Sequence, residues 1–162
     1  MSTATLINWP RQLCASLLIA LCAAAQGAAL RVASGFDPQT MDPHALALLY
    51  QTRIYTQVYD SLVNRDEQFR IEPSLALSWQ ASGATSWRFK LRPGVTFHDG
   101  TPFSADDVVF SIERALGPTS QRAFQLKGVT AVKKIDALTI ELQLEQPDAV
   151  LPEKTQFIAM MS

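Results

Sequence analysis

The chain has 162 residues, of which 18% are charged and 48% hydrophobic, with a formal net charge of −1 and two cysteines. That length suits one ordinary domain, and seven glycines with nine prolines exclude a collagen-like or low-complexity chain. The near-neutral balance also excludes a surface of clustered Lys and Arg that neutralises phosphates, so nucleic acid is not an expected partner.

Residues 1–29 read as a cleavable export signal. Arg11 supplies a positive start and Leu13–Ala25 is an uncharged run. The small residues of Ala25-Gln-Gly-Ala-Ala29 then suit a signal peptidase. The run is shorter than the roughly 18–20 apolar residues that span a bilayer. Leu13 precedes Cys14 and Leu21 precedes Cys22, where a lipid-modified cysteine wants a small neighbour. Both cysteines lie inside this segment, so the mature chain is expected to have no disulfide, no thiolate metal site and no cysteine nucleophile.

Leu30-Arg-Val-Ala33 is a short strand candidate leading into Ser34–Pro43. In that loop Pro38 and Pro43 each bar the preceding residue from the helical region. From about residue 45 to residue 62, Leu46, Leu49, Tyr50, Ile54, Val58 and Leu62 recur at three and four, which predicts a helix with one buried stripe. Asn64-Arg-Asp-Glu67 reads as a turn. Trp87, Phe89 and Leu91 alternate with Arg88, Lys90 and Arg92, predicting a strand with one apolar and one cationic face. Pro93-Gly94 interrupts it, Val95-Thr-Phe97 resumes it, and His98-Asp-Gly-Thr-Pro102 is a tight turn.

Ser104-Ala-Asp-Asp107 opens a helix: the hydroxyl caps it and the two carboxylates favour its positive end. Val108, Ile112, Ala115 and Leu116 face inward, and Gly117-Pro118 closes it. Val129–Ile135 and Ile140–Glu145 then read as a hairpin, and Pro147–Leu151 starts another helix. The text stops at Met160-Met-Ser162 without a polar tail, which reads as truncation. Interspersed strands and helices make the class mixed α and β (α+β).

Little of the sequence is catalytic. His44 and His98 are too far apart along the chain for a spaced zinc motif, so no metal and no cofactor are expected. His98 and Asp99 lie near Ser104 and Ser111, but no Gly-x-Ser-x-Gly elbow accompanies them and Ser111 falls inside a helix, which argues against a hydrolase triad. Asp106 and Asp107 are consecutive, so on a helix they diverge by about 100° and share no proton. No phosphate-cradling glycine loop appears. The aromatic residues between Tyr50 and Phe97 suit core packing or the wall of an organic-ligand pocket.

Residues 72–114 are the most distinctive. Glu72-Pro-Ser-Leu-Ala-Leu-Ser-Trp79 is followed by Trp87–Phe103 and Ser104–Arg114. This text closely resembles the family 5 extracellular solute-binding proteins, the peptide/nickel receptors of ABC importers. Arg92, Gly94, Phe97, His98, Asp99, Gly100, Pro102, Phe103, Ala105, Asp107, Val108, Phe110 and Ser111 occupy the places of the family signature. Pro93 departs from it, standing where the family usually carries a charged residue. Phe36–Pro43 is similar to the loop after the family's first strand, and Tyr59-Asp-Ser-Leu-Val63 to the end of its following helix.

The resemblance implies a type II periplasmic-binding-protein fold, a two-lobed clamp of which residues 30–162 supply an incomplete first lobe. It implies that the signature residues are scaffold and that the loop after the first strand faces ligand, here Ser34, Gly35, Phe36, Thr40, Met41 and Asp42. It further implies a monomeric periplasmic protein that is not an enzyme and that hands a peptide or other small solute to an inner-membrane ABC permease. Two alternatives stay open: an exported hydrolase, and a solute-sensing module without a transport role.

Overall fold

A computed structural model describes residue 31 and residues 33–162. The expected export signal lies outside the described residues, as do Leu30 and Val32 of the first strand candidate. The chain divides into two units, residues 1–35 and 36–162, and the architecture below is that of the second.

Its elements in order are α1 (Leu49–Tyr55), β1 (Val63–Arg65), β2 (Ile71–Pro73), β3 (Ala76–Gly83), β4 (Ser86–Leu91), α2 (Ala105–Leu116), β5 (Val129–Asp136), β6 (Thr139–Leu144) and α3 (Leu151–Lys154). Single 3₁₀ turns occupy Ala123–Leu126 and Thr155–Phe157. β1 and β2 form a small hairpin, and an antiparallel sheet runs in the order β3-β4-β6-β5.

The sheet follows from its side-chain alternation. Phe89 and Leu91 of β4 point the same way as Ile140, Leu142 and Leu144 of β6, and all five are buried. In register, Phe89 faces Ile140 and Trp87 faces Leu142, while Arg88 and Glu141 pair on the opposite face at 2.9 Å. α2 lies over the covered face and contributes Val108, Ile112 and Ala115 to one core with Leu62, Val63, Leu126, Leu151 and Ile158.

The start of α2 is fixed locally. Ser104 Oγ accepts from Asp106 N at 3.2 Å, and the Asp107 carboxylate accepts from Ser104 N at 2.8 Å, closing a capping box. Asp106 points elsewhere and pairs with Lys134 at 2.6 Å. The two carboxylates thus do separate structural work.

Three sequence expectations are corrected. The helix expected from residue 45 to residue 62 is confined to Leu49–Tyr55, and it buries Gln51 and Tyr55 while Leu49 and Val58 stay exposed. Leu48 at its N-cap offers no side-chain acceptor, and residues 43–45 form a turn instead. Val95–Phe97 does not resume the strand: Gly94 at φ 73° turns the chain, leaving one isolated bridge from Thr96 to Pro102. The turn expected at residues 64–67 starts later, because Val63–Arg65 pairs with Ile71–Pro73, with Asp66–Arg70 between them. The α2 start, the β5–β6 hairpin and strand β4 all stand where the residue pattern places them.

Candidate functional site

The loop from Phe36 to Ala45 is held by polar groups. Thr40 Oγ1 accepts from Asp42 N at 3.0 Å, and one Asp42 carboxylate oxygen accepts from His44 N at 3.0 Å, an Asx turn that bends the chain into the buried His44. Gln51, on the first turn of α1, donates to the Thr40 carbonyl. Arg114, in the last turn of α2, grips Asp42 as a fork, with Nη1 to Oδ1 at 2.9 Å and Nη2 to Oδ2 at 2.5 Å. The guanidinium holds the Asp42 carboxyl below its usual range, and Asp42 raises Arg114 in return.

Behind the loop the polar groups are buried. His44 is 1% exposed and shares a hydrogen bond with the Ala159 carbonyl through Nε2 at 3.0 Å. A carbonyl only accepts, so Nε2 carries the proton and Nδ1 is the bare nitrogen. Burial is the main cause lowering the His44 pKa, which disfavours the charged ring in the fold. Arg122 is 3% exposed, with its guanidinium 5.1 Å from the centre of the Tyr55 ring. It donates to the Pro43 carbonyl at 3.3 Å and to Thr52 Oγ1 at 2.9 Å, and burial lowers its pKa as well. His44 Nδ1, Gln51 Oε1 and Tyr55 OH are buried without a hydrogen-bond partner among the described residues.

The six residues nominated as ligand-facing therefore separate. Ser34 and Gly35 are exposed and belong to the first unit. Phe36 opens the second unit, 67% exposed, with its ring stacked on Tyr50 at 5.2 Å between centroids and 28° between planes. Met41 is exposed, whereas Thr40 and Asp42 are engaged in holding the loop. Sequence reasoning did not place Arg114, His44, Gln51 or Arg122 at this loop; Arg114, His44 and Arg122 meet partners 72, 115 and 79 residues away, whereas Gln51 reaches Thr40 only 11 residues back.

The signature residues make structural contacts. Arg92 Nε donates to the Ser74 carbonyl at 2.9 Å. Gly100, at φ 88°, permits the turn in which Gly100 N donates to Phe97 O and Phe97 N to Thr101 O. The Asp99 carboxylate caps that turn from Thr101 N and Oγ1, and this lowers its pKa. Phe97 and Phe103 meet edge to face at 5.9 Å. Asp107 caps α2, Val108 is buried and Phe110 is exposed.

No nucleophile–base pair forms among these residues. Ser111 is buried and bonds the backbone of Met161, Ser104 bonds Asp107, and His98 is exposed. No group of three His, Cys, Asp or Glu among the described residues is placed to hold a metal ion. No helix among them is long and apolar enough to cross a membrane. A mainly apolar cleft of about 340 Å³ lies between Val58–Asp60, Leu75, Val95–Asp99, Phe103 and Met160–Ser162. Its walls include Phe97 and Phe103 of the signature, with Tyr59, Asp60 and His98 as polar groups. Such a mainly apolar surface with a few polar groups is suited to reversible contact with an organic solute.

Residues 70–162 match the family model of the bacterial extracellular solute-binding proteins, family 5. Among curated proteins, the uncharacterized protein YhjP of Bacillus subtilis is 33% identical over 115 residues, covering 70% of this chain and 20% of its own length. The periplasmic murein peptide-binding protein MppA of Escherichia coli is 28% identical over 130 residues, covering 68% of this chain and 24% of its own. Among solved structures, NikZ from Campylobacter jejuni in complex with Ni(L-His) superposes with a TM-score of 0.71 at 25% identity, over 78% of this chain and 26% of that one. The chain thus spans about a fifth to a quarter of the length of these relatives.

Proposed function

This chain belongs to the family 5 bacterial extracellular solute-binding proteins, and we propose that it serves as the first-lobe portion of a periplasmic receptor that delivers a small solute to an ABC importer. In this reading residues 1–29 direct export, and the mature protein is a monomer that binds without cofactor or metal. The solute is a peptide or a related small molecule. It is held reversibly against the loop that contains Ser34, Gly35, Phe36, Thr40, Met41 and Asp42, and it undergoes no chemistry.

The observation that carries this reading is the family match over residues 70–162, together with the use of the signature residues in caps, turns and core. A segment so committed to architecture leaves recognition to the loops that the architecture positions. In a two-lobed receptor, closure buries the far side of the solute and supplies affinity for the closed state alone. Isolated first-lobe residues then bind weakly, and the intact receptor binds tightly.

The test is thermal-shift screening of the intact protein against di-, tri- and oligopeptides, with nickel–histidine as a separate arm. A bound peptide present at a hundred times its Kd stabilises the fold by about 2.7 kcal/mol, which moves the melting temperature by several degrees. Failure of every peptide to shift it, alongside turnover of an ester or amide substrate, overturns the reading.

A further inference from the structure

We infer that His44 is an acid-sensitive latch: protonation of its buried ring releases the loop before α1 from residues 158–161, while the sheet and α2 stay folded. The latch belongs to the protein without solute and is independent of the solute-binding reading.

The anchors of the loop converge on adjacent residues. His44 is buried, and its Nε2–H donates to the Ala159 carbonyl at 3.0 Å. Its own carbonyl accepts from Gln121 N at 2.9 Å and from Ser120 Oγ at 3.3 Å. The Pro43 carbonyl, directly before it, accepts from Arg122 Nε, and Asp42 lies in the fork of Arg114. Movement of the ring out of the interior therefore undoes the links to residues 120–122 and to the terminal segment together. The apolar core of β4, β6 and α2 does not include His44, so it persists while the loop opens.

The interior accommodates the neutral ring and opposes the charged one. With Nε2 donating, Nδ1 has no hydrogen-bond partner among the described residues, so a proton added there becomes a buried donor without an acceptor. Charges act on the ring from three elements. Asp42 in the loop favours protonation, whereas Arg114 in the last turn of α2 and Arg122 before the 3₁₀ turn at Ala123–Leu126 oppose it. Asp42 is already shared between Arg114 and His44 N, which leaves two guanidinium groups against one neutralised carboxylate. α1 turns Gln51 and Tyr55 inward and keeps Arg53 exposed, and Ile158-Ala-Met-Met161 adds no charged side chain. Water outside the loop solvates the imidazolium without these costs, so a proton draws the ring out. Asp42 stays ionised in the same range, because Arg114 holds its carboxyl below the ordinary 3.8. His98, the other histidine of the sequence, is exposed beside Asp99 and Gly100.

The test is a hydrogen-exchange series on the intact, solute-free protein from neutral to mildly acid pH, with protection corrected for the intrinsic exchange rate at each pH. Below pH 6.5, the ordinary histidine value, protection of His44 N and Gln121 N falls by up to about tenfold per pH unit, while β4 and β6 keep theirs. His44→Gln, whose side-chain amide still offers a donor to the Ala159 carbonyl, abolishes this pH dependence, and His98→Gln leaves it in place. Nitrogen-15 magnetic resonance of the unsubstituted protein shows the His44 ring as the Nε2–H form at neutral pH. Protection that does not change with pH, or that falls equally in β4 and β6, overturns the latch. Persistence of the fall in His44→Gln overturns it too. If His44→Gln does not fold, the other two measurements decide: loss of the pH dependence in His98→Gln, or an Nδ1–H ring at His44, overturns the latch. Peptide screening tests the solute-binding reading separately.

Discussion

The sheet with α2 and the loop with α1 are held together by different forces. In the first, Phe89, Leu91, Ile140, Leu142 and Val108 are buried together, and the helix start is capped by residues two and three positions away. In the second, Asp42 reaches Arg114 across 72 residues, Pro43 takes a hydrogen bond from Arg122 across 79, and His44 meets Ala159 across 115. Apolar burial is strong and non-directional, so the sheet tolerates small shifts. A polar clamp needs each partner in place, and losing one leaves a half-buried charge or an orphaned donor. The loop before α1 is thus held by specific polar pairs, each depending on one partner.

Five experiments test this contrast. Phe89→Ala opens a cavity where β4, β6 and α2 meet and costs about 3–5 kcal/mol in denaturant unfolding. A loss under about 1 kcal/mol would mean that the sheet is not the stabilising unit.

Acidification acts next, and on the other region. The folded-state pKa of His44 lies below its ordinary value of 6.5, so the unfolded chain takes up a proton that the folded ring resists. Stability is unaffected by this group above that pH. It falls below it by up to about 1.4 kcal/mol per pH unit until the folded ring itself protonates. His44→Gln removes that slope in a pH series of melts. Asp42 adds a separate loss at more acid pH, because its folded-state pKa lies below the ordinary 3.8 and its pairing energy is lost only as the carboxyl protonates.

Smaller effects follow. Ser104→Ala removes the α2 cap and lowers stability by about 1 kcal/mol, with Asp107 losing the Ser104 hydroxyl but keeping the backbone N–H of residue 104. A double-mutant cycle on Asp42→Asn and Arg114→Met returns a coupling of about 1 kcal/mol or less, as befits a half-buried pair. Hydrogen exchange on the same variants speeds up in residues 40–56 and stays slow in β4 and β6. Uniform acceleration would show that the two regions open as one.

Legibility in the sequence tracked the same division. Strand β4, the α2 cap and the β5–β6 hairpin were readable because alternation, capping chemistry and turn residues are local signals. The extent of α1 was not. Its apparent stripe placed Leu49 and Val58 inward, yet Gln51 and Tyr55 are the buried residues, since Gln51 finds the Thr40 carbonyl and Tyr55 lies under Arg122. Strands β1 and β3 also carried weak signals, because β1 is three residues long and β3 has bulges and a largely exposed surface. In the candidate site, Met41 is exposed and Phe36 is exposed with its ring stacked on Tyr50, whereas Thr40 and Asp42 are taken up by the loop itself.

Residue order alone established the alternating core strands, the capped helix, the tight turn at Asp99-Gly100 and the likeness to a solute-receptor family. Each of those is written within a few neighbouring side chains. Which charges are spent on holding the loop, and which remain open, was decided by the tertiary structure. Ion pairs and buried hydrogen bonds join residues remote in sequence, and only the folded chain brings Arg114 to Asp42 and leaves Asp37 facing water.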